Sequence, residues 1–289
     1  MTAGPIVAAT DGSEESLRAV DWAAREAELR GLPLRIVSAA ALPPRMAEQQ
    51  TAAGVATVAD TVVSNRDRTL AAATQRATAI APDILVDADG LSASPAQAIT
   101  EAGSGASMLV VGSRGMGTFT ALILGSVSRY AAANAACPVV VVREQTTAAH
   151  PQVGVGIGDP TEASAALAFA FEEAGLRKAS LVAVHARDSG GDVSRAVRAM
   201  ASPGARASEE QVAGQLQALL ADAQARYPDV QASYDLVYGH PGRALVGLSA
   251  RADLVVLGRH HHHDGLLPGP GAVRHAVLNH AHGPVVIVP

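Results

Sequence analysis

Short apolar runs alternate with longer segments of helical periodicity along the first half of the chain. The apolar runs cover residues 6–9, 34–37, 84–86, 108–111 and 139–142. Helices are predicted from Ser13 to Gly31, over residues 58–79, from Ser94-Pro95 onward and over residues 125–135. Runs that are apolar on both faces and separated by helices indicate a parallel sheet that is covered on both sides.

The second half of the chain repeats this order. Its apolar runs cover residues 153–157, 180–185, 254–257 and 285–288, with another near Leu236. The segment from Arg187 to Ser208 is expected to be the least structured. Four landmarks recur at an offset of 146 residues, namely Pro95, Gly112, Gly125 and Pro138 at Pro241, Gly258, Gly271 and Pro284. Near the start of each half the offset is 148, which pairs Asp11 with Asp159. The repeat predicts one domain copied and fused, as residues 1–146 and 147–289.

Composition argues against several classes of partner. The chain has 22 Lys+Arg against 27 Asp+Glu and no basic stripe, so nucleic-acid binding is not expected. No apolar run is long enough to span a bilayer, and the first residues lack a secretory signal pattern. The single cysteine, Cys137, allows no internal disulfide. We therefore expect a soluble cytoplasmic protein that binds neither nucleic acid nor membranes.

A glycine-containing loop follows the predicted fourth strand. It begins Gly112-Ser113-Arg114-Gly115, and nine residues later Gly125-Ser126 opens a helix. Glycines can adopt positive φ and let backbone amides approach phosphate oxygens. The helix start offers unpaired N–H donors, to which the hydroxyls of Ser126 and Ser128 can add hydrogen bonds. The pattern predicts a site for the phosphate tail of a nucleotide.

Two common nucleotide folds do not fit the sequence. A dinucleotide-binding domain would carry its glycines after the first strand, where this chain has Thr10-Asp11-Gly12-Ser13. A P-loop needs Gly-Lys followed by Ser or Thr, and the only lysine, Lys178, precedes Ala179.

The loop spacing resembles the nucleotide-binding signature of the ATP-binding class of universal stress proteins. Asp11-Gly12-Ser13 after the first strand and Cys137-Pro138 before the last are also typical of that family. The resemblance covers nearly the whole chain as a tandem pair. It implies two doubly wound α/β domains, Rossmann-like and of the adenine nucleotide α-hydrolase-like kind, each with a five-stranded parallel sheet in the order 3-2-1-4-5.

The resemblance also implies ATP as the ligand, with or without Mg²⁺. In the family the loop holds the ribose and phosphates, while Asp11 and the exit of the second strand at Ala39 border the ribose and adenine. The implied strand order places strands one and four side by side, at the switch point where open α/β sheets bind ligands. The candidate nucleotide-binding residues are Asp11, Ala39, Gly112, Ser113, Arg114, Gly115, Gly125, Ser126, Val127 and Ser128.

Two of these residues could have a role that involves no ligand. Asp11 is suited equally to capping the first helix, a role that Ser13 can also fill. Arg114 lies either on a phosphate or in solvent.

The second copy of the loop has changed at several positions. His261 stands where the first copy has Gly115, and a residue with a Cβ is strained at positive φ. Ala272 and Arg274 replace Ser126 and Ser128, which removes both hydroxyls. We therefore expect little or no ATP binding in the second half, and anion binding by Arg259, Arg274 and the histidines stays open. The run His260 to His263 is read as either a metal site or a solvated loop, and without an accompanying Cys or carboxylate pair no metal site is predicted.

No catalytic constellation stands out in the sequence, so an enzymatic role is not expected. The favoured function is a stress or growth regulator that responds to ATP and acts through a protein partner of unknown identity. Slow ATP hydrolysis stays open, because bound ATP with Mg²⁺ needs only an oriented water. The alternatives are an ATP-dependent enzyme of the adenine nucleotide α-hydrolase-like superfamily and an interaction module whose nucleotide sites are vestigial.

The family resemblance further implies how sheet edges are covered. Its members commonly pair their last strands, which here would join residues 139–142 with residues 285–288 in an intramolecular pseudo-dimer. Such pairing covers two apolar edges that otherwise invite aggregation. A further homodimer of whole chains stays open.

Overall fold

The computed structural model describes residues 4–40, 52–115, 124–143, 151–159, 162–187, 203–259 and 270–289. The chain divides into two compact units, Met1–Arg143 and Glu144–Pro289. The boundary predicted after residue 146 falls in residues 144–150, which lie outside the described residues.

The first unit alternates strands and helices from end to end. Its elements are β1 Ile6–Ala9, α1 Glu14–Arg30, β2 Leu34–Ala39, α2 Ala52–Ile80, β3 Val86–Leu91, α3 Pro95–Ala102, β4 Met108–Gly112, α4 Ser126–Asn134 and β5 Val139–Val142. The strands form a parallel sheet in the order β3-β2-β1-β4-β5, which is the order that the family resemblance implied. β1, β4 and β5 are buried along their whole length, as their unbroken apolar runs predict.

The predicted third strand is displaced in the structure. The apolar run Ile84-Leu85-Val86 suggested a strand there, but β3 begins only at Val86 and continues through Asp87 and Asp89. Leu85 is 77% exposed. β3 pairs on one side alone, with β2, and an edge strand with polar, exposed positions lacks the apolar run by which buried strands are recognised.

The second unit has the same plan. Its elements are β6 Gln152–Gly156, α5 Ser164–Arg177, β7 Ser180–Arg187, α6 Pro203–Gln224, β8 Ala232–Tyr238, α7 Pro241–Ser249, β9 Leu254–Gly258, α8 Pro270–His280 and β10 Val285–Val288. Its parallel strands follow the order β10-β9-β6-β7-β8. The segment expected to be least structured, from Arg187 to Ser208, ends inside α6, so its last part is helical. None of the described helices in either unit is long and apolar enough to cross a membrane.

Strand register corrects the alignment of the two halves. Met108 pairs with Ile6 in the first unit, and its counterpart Leu254 pairs with Val153 in the second. Ile6 therefore corresponds to Val153, an offset one residue shorter than the predicted 148. The residue equivalent to Asp11 is then Gly158 rather than Asp159. The second unit has lost the carboxylate at that position, which the sequence comparison had counted as retained.

The first helix of each unit ends in a left-handed residue. Gly31 caps α1 with φ 63°, and Lys178 caps α5 at the equivalent position with φ 50°. A side chain with a Cβ is strained in this conformation, whereas glycine adopts it freely.

Replacing Lys178 with glycine is therefore expected to stabilise the second unit by about 1 kcal/mol, the net of the relieved strain and the added backbone entropy of glycine. Differential scanning calorimetry of the full chain measures the gain. Lys178→Ala is the matched control, because it removes the same side chain and keeps the strain. A glycine variant no more stable than the alanine variant would contradict the expectation.

Each of these helices also carries a buried ion pair near its end. Arg30 Nε lies 2.5 Å from Glu26 Oε1, and Glu26 is 2% exposed. Arg177 pairs with Glu173 at the equivalent place, and Glu173 is fully buried. The two units thus share this charged contact within their cores.

Candidate functional site

A cavity opens at the carboxyl ends of β1 and β4 in the first unit. These strands are neighbours in the sheet, and the cavity has a volume of about 580 Å³. Nine of the ten predicted site residues line it, namely Asp11, Ala39, Gly112, Arg114, Gly115, Gly125, Ser126, Val127 and Ser128. The tenth, Ser113, is 4% exposed and does not line the cavity. Residues far apart in sequence are thus brought to one crevice, where open α/β sheets bind ligands.

The turn between β1 and α1 fixes the Asp11 carboxylate on one side of the cavity. Asp11 Oδ1 accepts hydrogen bonds from the Ser13 amide at 3.0 Å and from the Ser13 hydroxyl at 2.6 Å. Ser13 itself caps α1 by accepting from the amide of Ser16. The capping role that was open between these two residues therefore belongs to Ser13. Thr10 and Ser16 join their hydroxyls behind the turn at 3.0 Å, which stiffens it further.

Gly112 and Gly115 are glycines because a Cβ would not fit at either position, and not because of their backbone conformation. We expected positive φ at Gly112 and Gly115, and neither has it. A Cβ on Gly112 would lie 2.7 Å from the carbonyl oxygen of Glu15, because the first turn of α1 passes directly against the end of β4. A Cβ on Gly115 would overlap with Oδ2 of Asp11. The glycines thus let the loop pack against the β1–α1 turn.

The strain argument for the second copy fails with this finding. It assumed that His261 occupies a position of positive φ, and Gly115 shows no such φ. His261, together with the rest of the run His260 to His263, lies outside the described residues. Within the described parts of the chain, no cluster of three or more His, Cys, Asp or Glu side chains is placed to hold a metal ion.

The start of α4 also lines the cavity. The Gly125 amide donates to the Ser113 carbonyl at 2.9 Å, which joins the two ends of the loop. The first bond of the helical ladder runs from the Arg129 amide to the Gly125 carbonyl at 3.0 Å. The amides of Ser126, Val127 and Ser128 precede that bond and have no partner within the helix. They leave a row of N–H donors at the cavity, which suits an anion.

The two serine hydroxyls at this helix start do different things. Ser126 is exposed and its hydroxyl is available to a ligand. Ser128 is 3% exposed, and its hydroxyl donates to the Gly112 carbonyl at 2.6 Å. The prediction that both hydroxyls donate to phosphate is therefore wrong for Ser128. Its proton is used to fasten α4 to the end of β4.

Two arginines place positive charge beside the loop. Arg114 lines the cavity and lies 3.4 Å from Glu15 Oε1, and its Nε is buried without a hydrogen-bond partner among the described residues. Arg143 follows β5 nearby. Burial lowers the pKa of Arg143 below its usual value, and repulsion by Arg114 lowers it further. Positive charge that is partly desolvated in this way favours an anionic ligand.

Sequence reasoning missed one wall of the cavity. The start of α3 contributes Ser94, Pro95 and Ala96, and Ile99 follows one turn later. Further lining residues outside the predicted set are Thr10, Ser16, Val111, Leu124, Arg129 and Ala9. The missing signal was the topology, because every helix that follows a parallel strand begins at the same edge of the sheet. Ser94-Pro95 had been recognised as a helix start and not as part of the site.

Known proteins resemble this chain over its full length. The sequence model described as the universal stress protein family matches residues 3–143 and 151–289. The universal stress proteins Rv2005c and Rv2623 of Mycobacterium tuberculosis are 32% and 33% identical, over 98% of this chain and 96% and 95% of theirs. A solved universal stress protein from Archaeoglobus fulgidus covers 100% of this chain and 99% of its own, with a TM-score of 0.63 at 17% identity. That last likeness concerns the fold alone.

Proposed function

Because the chain belongs to the universal stress protein family in both of its halves, we propose that its first unit binds ATP and that ATP occupancy regulates what the protein contacts. The observation that carries this proposal is the cavity in the first unit. Its volume of about 580 Å³ is within the usual range for ligand pockets. Its walls combine a carboxylate, a row of helix amides and an arginine.

Different residues of the cavity suit different parts of a nucleotide. Asp11 and Ala39 lie at the ends of β1 and β2, and a fixed carboxylate accepts hydrogen bonds from ribose hydroxyls. The start of α4, with Ser126 and Arg114, offers donors and positive charge to the phosphates. The buried Nε of Arg114, which has no hydrogen-bond partner in the described parts of the chain, is a donor that a phosphate oxygen can satisfy. The residues present therefore fit ATP.

The regulatory part of the proposal follows from how the site is connected. Arg114 is paired with Glu15 on α1, and Asp11 is bonded to the cap of the same helix. A ligand that engages either residue therefore competes with, or adds to, contacts that hold α1. Occupancy thereby biases the surface around this helix, which is where a protein partner would detect it. Cytoplasmic localisation and Mg²⁺ binding belong to the same proposal.

Isothermal titration calorimetry of the full chain with ATP tests the proposal. We expect one ATP per chain, and an affinity about tenfold lower in Asp11→Asn, because a carboxylate acceptor becomes a neutral one. Asp87→Asn is the control, since Asp87 is exposed on β3 and does not line the cavity. Absence of any ATP binding would contradict the proposal. Formation of AMP and pyrophosphate with a substrate would instead indicate an ATP-dependent enzyme.

A further inference from the structure

Glu15 lies on the first turn of α1, directly beside the glycine loop of the first unit. A Cβ on Gly112 would lie 2.7 Å from the Glu15 carbonyl oxygen, so the backbone of Glu15 is packed against the end of β4. The side chain also reaches the loop, because Glu15 Oε1 lies 3.4 Å from Nη2 of Arg114. Arg114 lines the cavity, whereas Glu15 does not. The closest link between Glu15 and a ligand is therefore Arg114.

Arg114 is placed to meet a phosphate group. Its Cα lies 3.5 Å from the position of a Cβ on Gly125, the residue that precedes α4. The arginine therefore starts beside the helix amides that have no partner within the helix, within side-chain reach of an anion bound to them. Its buried Nε has no hydrogen-bond partner among the described residues, so the guanidinium retains a donor for a further acceptor.

The ion pair between Arg114 and Glu15 is loose. Charge-assisted hydrogen bonds between a guanidinium and a carboxylate are about 2.7–2.9 Å long. The separation of 3.4 Å exceeds that range. The two side chains are 32% and 25% exposed, so water screens their attraction. A polyphosphate, which brings several negative charges and matches the guanidinium fork, is the stronger acceptor.

Glu15 has a second cationic partner that does not belong to the loop. Arg18 lies three residues further along α1, and its Nη2 is 3.7 Å from the same oxygen, Glu15 Oε1. Arg18 does not line the cavity. When Arg114 turns to a phosphate, the Glu15 carboxylate therefore keeps a positive charge beside it, which lowers the cost of the exchange.

We propose that Glu15 determines the specificity of the cavity for highly charged ligands, because it competes with the ligand for the Arg114 guanidinium and is displaced by a polyphosphate. A ligand without phosphate leaves the ion pair in place and gains nothing from Arg114. The inference rests on the proposed function for ATP as the nucleotide, whereas the competition itself requires only the phosphate tail.

Titration calorimetry of the full chain with inorganic tripolyphosphate, and separately with ATP, tests the competition. Glu15→Gln keeps the size of the side chain and removes its charge, so both affinities are expected to rise about fivefold, the upper value for a part-exposed ion pair. In an Arg114→Gln background the same change is expected to have no effect, because no arginine is left to compete for. Glu14→Gln is the matched control, since Glu14 lies on the same helix turn and pairs with Arg76 instead. It is expected to change either affinity less than about twofold.

The double-variant comparison separates competition from a general effect of charge. An equal gain from Glu15→Gln with and without Arg114, or an unchanged affinity for tripolyphosphate, would overturn the proposal. Arg18→Gln is an independent variant of opposite sign, expected to weaken binding about twofold and only while Arg114 is present, because Glu15 then holds Arg114 more tightly. Urea unfolding followed by Trp22 fluorescence verifies that each variant is folded. Binding of tripolyphosphate without ATP would refute only the proposed function, whereas binding of neither ligand would refute both.

Discussion

Replacing Gly112 with alanine is expected to lower the free energy of unfolding of the first unit by about 3 kcal/mol, at the upper end of the usual cost of overpacking. The added Cβ would lie 2.7 Å from the carbonyl oxygen of Glu15 and 2.8 Å from its carbon. These are backbone atoms in the first turn of α1, so no side chain can rotate away. The helix therefore has to shift away from the end of β4, which disturbs the packing of both elements.

The chain provides a clean readout and a matched control for this change. Trp22 is the only tryptophan and is buried on α1, so its fluorescence in a urea titration follows the first unit alone. Gly125→Ala alters the other end of the same loop, where the nearest atoms to a new Cβ are at 3.5 Å. It is expected to cost less than about 1 kcal/mol, because that distance is ordinary packing. Equal losses in the two variants would show that the close approach of α1 is not the cause.

Replacing Gly115 with alanine is expected to weaken ATP binding about 100-fold and to leave the fold largely intact. The new Cβ would overlap with Oδ2 of Asp11, which is the end of a side chain and can move. Moving it breaks the bonds that hold Asp11 to Ser13 and turns the carboxylate out of its position at the cavity. Loss of several hydrogen bonds to a charged group accounts for an effect of this size.

Calorimetric titration with ATP and the fluorescence of Trp22 together distinguish the two glycine effects. Gly112→Ala acts on stability, whereas Gly115→Ala acts on affinity. Gly247→Ala serves as the control for the titration, because a Cβ there meets no atom within 4 Å and the residue lies in the second unit. Unchanged ATP affinity in Gly115→Ala would remove this loop from the proposed site.

Buried strands and helix starts could be predicted from the sequence because their chemistry is local. Unbroken apolar runs gave β1 and β5 with their observed bounds, and Ser13 and Gly31 marked the ends of α1. β3 could not be placed in the same way. It is held by backbone pairing with β2 at the sheet edge, and this pairing leaves no apolar pattern in its own residues.

Most residues that line the candidate site could be predicted, but the contacts that require those residue types could not. Spacing identified the loop, and nine of the ten predicted site residues line one cavity. The inward hydrogen bond of Ser128 and the contact of Gly115 with Asp11 depend on how two distant segments pack. The α3 wall was missed for the same reason, since Ser94 is separated from Gly112 by a whole strand and helix. Such contacts are set by tertiary structure.

The ion pairs Glu26 with Arg30 and Glu173 with Arg177 suggest how these domains could be engineered. Removing one partner of a buried pair typically costs about 3–5 kcal/mol, so mutant libraries should spare these four positions. The side chains at corresponding crevice positions differ between the two units, whereas the Glu–Arg ion pair is present in both. The side chains of one crevice could therefore be randomised in a search for a new ligand, while the unaltered unit of the same chain serves as the reference.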